Sequence, residues 1–336
     1  MSLHSPAISV VLPFRNATKS LEEAVLSILD QSFTDFELLL VDNHSEDGSS
    51  RIAQQLAEAD ARINLLYEPQ PGIVNALQRG LDHALAPYIA RMDADDVAYP
   101  QRLSSQYDFL QKHPQVGVLA SQVDFEGHKE AKGLRTYVKW SNHLLSHDQL
   151  LLNRFVDAPL VHPTVMFRKG LLDQHGGYRS GDFPEDFELW LRWMEAGVRF
   201  EKIDRALLCW KDHPKRLTRR SNRYRPEAFY QVKAYYLNHW LIQHNPFYPE
   251  VVIWGGGRKS RQRAALLEEQ GGVIKAYLDI RADKTSTRPC IHYLDIAPPG
   301  HYFVVSYVAN RGQREKIREF LIGRGYVEGI NFLLAA

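Results

Sequence analysis

ISVVLPFRNATKSLEEAVLSILDQSFTDFELLLVDNHSEDG, Ile8 to Gly48, is the stretch on which the fold turns. Ile8 to Leu12 is a short apolar run of β-rich composition. Leu21, Val25, Ile28 and Leu29 then recur at helical intervals, with Ser20 and Glu23 at capping-box spacing. Phe36 to Val41 is a second apolar run that ends abruptly in Asp42, Asn43, His44 and Ser45. Strand, helix, strand is the signature of a βαβ unit and a largely parallel sheet.

The alternation continues beyond this stretch. Ile52 and Leu56 carry a second helix face, Ile63 to Tyr67 reads as a third strand, and Tyr88 to Met92 as a fourth that runs into Asp93, Asp95 and Asp96. Ligands of open parallel sheets sit beyond the carboxyl ends of the strands. Arg15 with Asn16, Asp42 with Asn43, and Asp93 with Asp95 are therefore expected to converge.

At 336 residues the chain is long enough for two folded units. After residue 240, His244, Asn245, Pro246 and Pro249 interrupt a helical stretch, and Val251 to Trp254 starts a new strand. This predicts an α/β domain over 1–245 and a small Rossmann-like α/β domain over 246–336, with strands at Val273 to Ile280 and Tyr302 to Val308. The turn Gly255, Gly256, Gly257 loosely resembles a dinucleotide fingerprint, with Ser260 at the third glycine position and Asp279 closing the following strand. A tight structural turn fits equally well, and the span after Pro298 is too short for a nicotinamide domain.

Lys and Arg number 41 against 40 acids, which removes any global electrostatic reason to expect nucleic acid. Cys209 and Cys290 lack metal or redox spacing and are expected as core thiols of a reducing compartment. No leader pattern and no apolar run of about 18 residues occur, so a cytoplasmic protein with at most peripheral membrane contact is expected. Phe229, Val232, Tyr236 and Trp240 have helical spacing, better suited to core packing than to a membrane face.

RMDADDVAYP, Arg91 to Pro100, is the strongest local chemical signal. Three carboxylates within four positions at a strand end repel one another unless a cation neutralises them. Mg²⁺ or Mn²⁺ takes oxygen ligands, and Asp93 and Asp95 would suffice beside substrate phosphates. A solvated acidic loop is the alternative.

These strings, in this order, resemble the family 2 glycosyltransferases of the GT-A fold over about the first 215 residues. The resemblance begins with SVVLPFRN (Ser9 to Asn16) and continues through Ser27 to Ser49, Gly72 to Ala84 and ARMDADDVAYPQRL (Ala90 to Leu103). It ends with HPTVMFRKG (His162 to Gly170) and GGYRSGDFPEDFELWLRW (Gly176 to Trp193). It implies a mostly parallel sheet with flanking helices and inverting sugar transfer from a nucleotide diphosphate donor. Pro13, Phe14 and Asn16 would border the nucleoside pocket, Asp42 and Asn43 would face the base, and Asp93 the ribose and sugar. Asp95 would hold the metal, and Glu185 and Asp186 would lie near the acceptor with Asp186 as general base.

Asp186 begins a helical pattern (Phe187, Leu189, Trp190, Trp193), where the helix macrodipole favours a charged carboxylate. His162 and Trp190 are expected at the acceptor, His162 also being readable as a structural histidine. KDHPKRLTRRSNRYR holds seven Lys or Arg between Lys211 and Arg225, and His213, Lys215 and Arg216 are candidates to close over the donor. This stretch also suits an anionic membrane surface or a lipid pyrophosphate.

The chain departs from the family at Asn43, where a second acid is usual, and at Gln78, where Asn is common. An amide both donates and accepts, which leaves uridine possible and the base identity open; a UDP-sugar is the favoured donor. A saccharide or lipid-linked saccharide is the expected acceptor, in surface polysaccharide or glycoconjugate synthesis. Asp93 to Val97 also fits the motif of haloacid dehalogenase-like phosphatases, but there it ends the first core strand. Nucleotidyltransferases need a Gly-rich loop where this chain has Pro13 to Asn16. A non-catalytic nucleotide-sugar sensor would have no need of Asp186.

Overall fold

A computed structural model of the protein describes residues 5–214, 216–281 and 288–336. Eight strands form the first sheet: β1 (Ile8–Phe14), β2 (Phe36–Asp42), β3 (Ile63–Tyr67), β4 (Tyr88–Arg91), β5 (Val97–Ala98), β6 (Val118–Glu126), β7 (Met166–Arg168) and β8 (Phe200–Lys211). Their order is β3-β2-β1-β4-β7-β6-β8-β5. The four strands read from the sequence lie side by side and parallel, while β7 runs antiparallel to β4 and β6. β1 and β2 are buried along their whole length, as strands covered on both faces must be.

β1 and β2 each continue one or two residues past their apolar runs, so that Phe14 pairs with Asp42 at the very edge of the sheet. The polar loops therefore begin where the ladder ends. The capping box expected at Ser20 does not form. Ser20 makes no side-chain cap bond, and Ala17 O receives the N–H groups of Ser20 and Leu21 instead.

A second sheet comprises β9 (Glu250–Trp254), β10 (Val273–Asp279), β11 (Cys290–His292), β12 (Val304–Ser306) and β13 (Phe332–Leu334). It is parallel throughout, in the order β11-β10-β9-β12-β13. The apolar tail of the sequence is thus an edge strand.

The chain divides into two compact units. One takes in the residues up to His147, Leu160–Gly181 and Glu188–Arg220; the other takes in Asp148–Pro159, Asp182–Phe187 and Ser221–Ala336. The helix Pro226–His244, expected to end the first domain, is counted with the second sheet. Its aromatic residues do pack inward: Phe229 meets Phe187 at 5.4 Å and Trp240 meets Phe303 at 5.7 Å between ring centroids. Cys209 and Cys290 are only partly buried, not core thiols. Among the described residues no helix is long and apolar enough to cross a membrane.

The helix Ile73–His83 lies against β1 at a glycine. A methyl group added to Gly80 would stand 2.5 Å from Val11 Cγ1 and 3.4 Å from Val41 Cγ2. Gly80→Ala should therefore lower the unfolding free energy by about 1–3 kcal/mol despite the better helix propensity of alanine. Urea denaturation of the two proteins checks this, and equal stability would mean that the contact is slack.

Candidate functional site

The carboxyl edge of the first sheet is built from loops tied to one another by side chains. Asp42 is buried, accepting hydrogen bonds from Ser45 N at 3.0 Å and from Ser50 Oγ. Asn16 adopts a left-handed backbone (φ 54°), and its Oδ1 accepts from Glu46 N at 2.8 Å while its own N–H reaches Ser45 Oγ at 3.1 Å. The loops after β1 and β2 are one hydrogen-bonded structure.

Asn43, expected to face the base, has its amide turned to another task. Nδ2 donates to Glu68 O (3.3 Å) and Gln70 O (2.8 Å), and Oδ1 accepts from Gly72 N (2.8 Å). The side chain is buried and pins the loop after β3. A carboxylate could not donate to those two carbonyls, which gives the unusual Asn43 a structural reason.

Asp93, Asp95 and Asp96 follow β4, and one carboxylate oxygen of each lies within 4.8 Å of the others. At an effective dielectric of about 20, two charges at that spacing repel by about 3 kcal/mol. Two of the three have side-chain partners. The buried Arg91 guanidinium donates to Asp93 Oδ1, and His213 Nε2 lies 2.7 Å from Asp95 Oδ2. Burial pushes the Asp95 carboxyl up, but the hydrogen bond from His213 and the charge of Arg216 outweigh it and hold the group below its ordinary range.

Asp96 differs from both. It is 1% exposed; Oδ1 accepts from Lys211 N at 2.9 Å, and Oδ2 has no hydrogen-bond partner among the described residues. Burial, then the charges of Asp93 and Asp95, push this carboxyl well above its ordinary range. Arg102 lies fully buried nearby, donating to Arg91 O and Gln106 Oε1.

Of the basic stretch, His213 and Arg216 belong to this cluster. The Arg216 guanidinium stacks 4.1 Å over the Trp210 ring and donates to Lys211 O at 3.1 Å. Lys215 lies outside the described residues. The five-membered set Asp93, Asp95, Asp96, His213 and Arg216 joins positions more than a hundred residues apart.

Glu185 and Asp186 open the helix Glu185–Glu195. Glu185 is buried and accepts from Tyr224 Oη with both oxygens at 2.8 Å, while Asp186 Oδ1 accepts from Phe187 N at 2.7 Å. Burial and the adjacent Glu185 and Asp186 charges raise the Tyr224 phenol, so it stays a donor.

His162 and Trp190, expected to touch the acceptor, are core residues instead. Trp190 is 1% exposed, and its ring meets the buried His162 edge to face at 5.9 Å. His162 Nε2 lies 2.7 Å from Tyr178 Oη, and burial drives this imidazole well below its usual range, so it is neutral. Trp190 offers a ligand almost no surface, and His162, 9% exposed, little.

The family model for Glycosyl transferase family 2 matches residues 9–176, half of the chain. The O-antigen biosynthesis glycosyltransferase WbnJ of Escherichia coli is 30% identical over 244 residues, covering 70% of this chain and 89% of that protein. The chain belongs to glycosyl transferase family 2. Among solved structures, S. aureus TarS 1–349 in complex with UDP-GlcNAc superposes with a TM-score of 0.57 at 19% identity, over 78% of this chain and 71% of that one. Mannosyltransferase PcManGT from Pyrobaculum calidifontis, in complex with GDP-Man and Mn²⁺, has a TM-score of 0.51 at 19% identity, over 80% and 70%. This glycosyltransferase has the GT-A fold that its sequence implied.

Three residues of the glycosyltransferase carried no separate signal in its sequence. Arg91 reads as the polar end of a strand, Tyr224 as one more residue of a basic run, and Asp96 as an acid no different from its neighbours. Only the fold separates the buried carboxylate, with one backbone partner among the described residues, from the two that meet side chains.

A carboxyl whose pKa is higher in the folded than in the unfolded state favours folding when protonated. Its contribution is complete below the unfolded value and is lost as pH rises through the folded one. In chelator at about pH 8, Asp96→Asn should thus raise the unfolding free energy by about 1 kcal/mol or more, since the amide keeps the acceptor for Lys211 N–H and carries no charge for Asp93 and Asp95 to repel. A less stable variant under those conditions would refute this account of the cluster.

Proposed function

We propose that this glycosyltransferase moves a sugar from a nucleoside diphosphate to an acceptor hydroxyl with inversion at the anomeric carbon. The observation that carries the reading is the set of Asp93, Asp95 and Asp96, with oxygens inside 4.8 Å and one buried oxygen that has no hydrogen-bond partner among the described residues. The donor set is entirely oxygen, which suits Mg²⁺ or Mn²⁺. Such an ion, when bound, supplies positive charge against the diphosphate as it leaves.

The chain's own groups supply the remainder. Asp93 and Asp95 hold the donor end, and Arg91 and His213 fix their orientation. Arg216, braced on Trp210, adds a cation beside Asp95 for the diphosphate. Pro13, Phe14, Asn16, Asp42 and Asn43 shape the loops around the nucleoside, Asn43 through its grip on 68–72 and not through the base edge. Asp186 is the proposed general base: it takes the proton of the acceptor hydroxyl while the new C–O bond forms and the sugar–phosphate bond breaks. Glu185, held by Tyr224, sets the start of that helix.

A UDP-sugar is the favoured donor, and a saccharide or lipid-linked saccharide the acceptor, in bacterial surface polysaccharide or glycoconjugate synthesis. WbnJ's part in O-antigen biosynthesis and the nucleotide sugars of TarS and PcManGT support this class. A cytoplasmic enzyme, peripheral at the inner face of the membrane, fits the exposed Arg219, Arg220 and Arg225.

Asp186→Asn should leave metal-dependent donor binding intact and lower transfer about 10²- to 10⁴-fold; equal turnover would remove Asp186 from the mechanism. Asp95→Ala should abolish the Mn²⁺ dependence of nucleotide binding measured by calorimetry. The same affinity with and without chelator in the parent protein would dispose of the metal.

A further inference from the structure

The second unit holds a group of cations that sugar transfer does not employ. Lys233, on the helix Pro226–His244, is 5% exposed, and among the described residues its ammonium has one hydrogen bond, to Val156 O at 3.2 Å. It also rests 3.9 Å from the centroid of the Tyr230 ring. Arg263 stands 4.0 Å from the centroid of the same ring, its Nη1 donating to Tyr307 O at 2.9 Å. The buried Arg314 adds a third cation within electrostatic reach of Lys233, tied to Glu315 and to Ala336 O. Against them stands Asp157, whose Oδ1 accepts from Ala158 N and which makes no ion pair among the described residues.

Position and donor inventory both matter here. Tyr307 directly follows β12 and its N–H binds Trp254 O at the end of β9, so it marks the place where strands β9 and β12 end side by side. In open parallel sheets that edge, where the strand order reverses about the first strand, is where ligands lie. The hydroxyls of Tyr230 and Tyr307 have no partner among the described residues. A buried ammonium with one acceptor is costly, and methionine would fill the same space without that cost. Surplus donors on two cations and two phenols are what a multiply charged oxyanion satisfies.

We infer that Lys233, Arg263, Tyr230 and Tyr307 form an oxyanion site in the second unit that takes the phosphate of a phosphorylated small molecule. The site consists wholly of residues outside the aspartate cluster and uses no metal. Burial brings the Lys233 ammonium down to about 7, against the pull of Asp157 and with the push of Arg263 and Arg314. Binding an oxyanion restores its charge, so at about pH 8 binding takes up a proton.

Full-length protein carrying Asp95→Ala, in chelator, isolates this site from donor binding. Calorimetric titration with inorganic phosphate, pyrophosphate, UMP and ADP should give saturable heat for at least one of them. A nucleotide binding more tightly than pyrophosphate would identify the phosphate as a nucleotide's; the reverse order would identify a simple phosphate. Lys233→Met, expected to fold at least as well, and Arg263→Gln should each weaken binding about tenfold or more. Two buffers of different ionisation heat at about pH 8 should report proton uptake that Lys233→Met abolishes. Absence of saturable heat for all four compounds, or equal affinity in the parent and both variants, overturns the site; if Lys233→Met fails to fold, Arg263→Gln alone decides.

Discussion

Mutual repulsion among three carboxylates governs the architecture of the first unit. Asp93, Asp95 and Asp96 are brought within 4.8 Å at the end of β4, and each is answered differently. Arg91 reaches Asp93 from within the sheet, and His213 reaches Asp95 from beyond the end of β8. Asp96 has only a backbone N–H, from Lys211. A protein that left all three in water would need none of this. Burying one, with an oxygen that has no hydrogen-bond partner among the described residues, makes sense where a cation completes the set.

Loops around that cluster owe their shape to polar residues that resemble ligand contacts but act as pins. Asp42, Asn43 and Asn16 spend their hydrogen bonds on Ser45, Ser50, Glu46, Glu68, Gln70 and Gly72. Binding loops are useful only if held still, and at the end of a parallel sheet no ladder is left to hold them. The substitution of an amide for the usual acid at Asn43 follows from what it grips: two carbonyls ask for a donor.

The second unit repeats the physical theme with opposite sign. There Lys233 and Arg263 share the Tyr230 ring near the end of a parallel sheet, and Arg314 is paired with Glu315. Burial weakens the charge of Lys233 much as it suppresses that of Asp96, and in each case an ion of the other sign would restore it.

The sequence alone determined the four parallel strands, the helices between them and the family, because a two-faced buried strand must be written as an apolar run and a helix as a 3.6-residue repeat. It also located the acidic cluster, since adjacent like charges at a strand end are visible without coordinates. Tertiary structure alone decided what each polar residue does. Asn43 and Asn16 became loop pins, His162 and Trp190 became core, Glu185 found Tyr224, and His213 came to Asp95 across 118 positions. That the helix Pro226–His244 is counted with the second sheet was equally hidden, because it shows its apolar face in sequence but not the sheet it packs beside. Periodicity records only whether a residue is buried; which partner it meets depends on contacts between distant segments, and those are set when the sheet assembles.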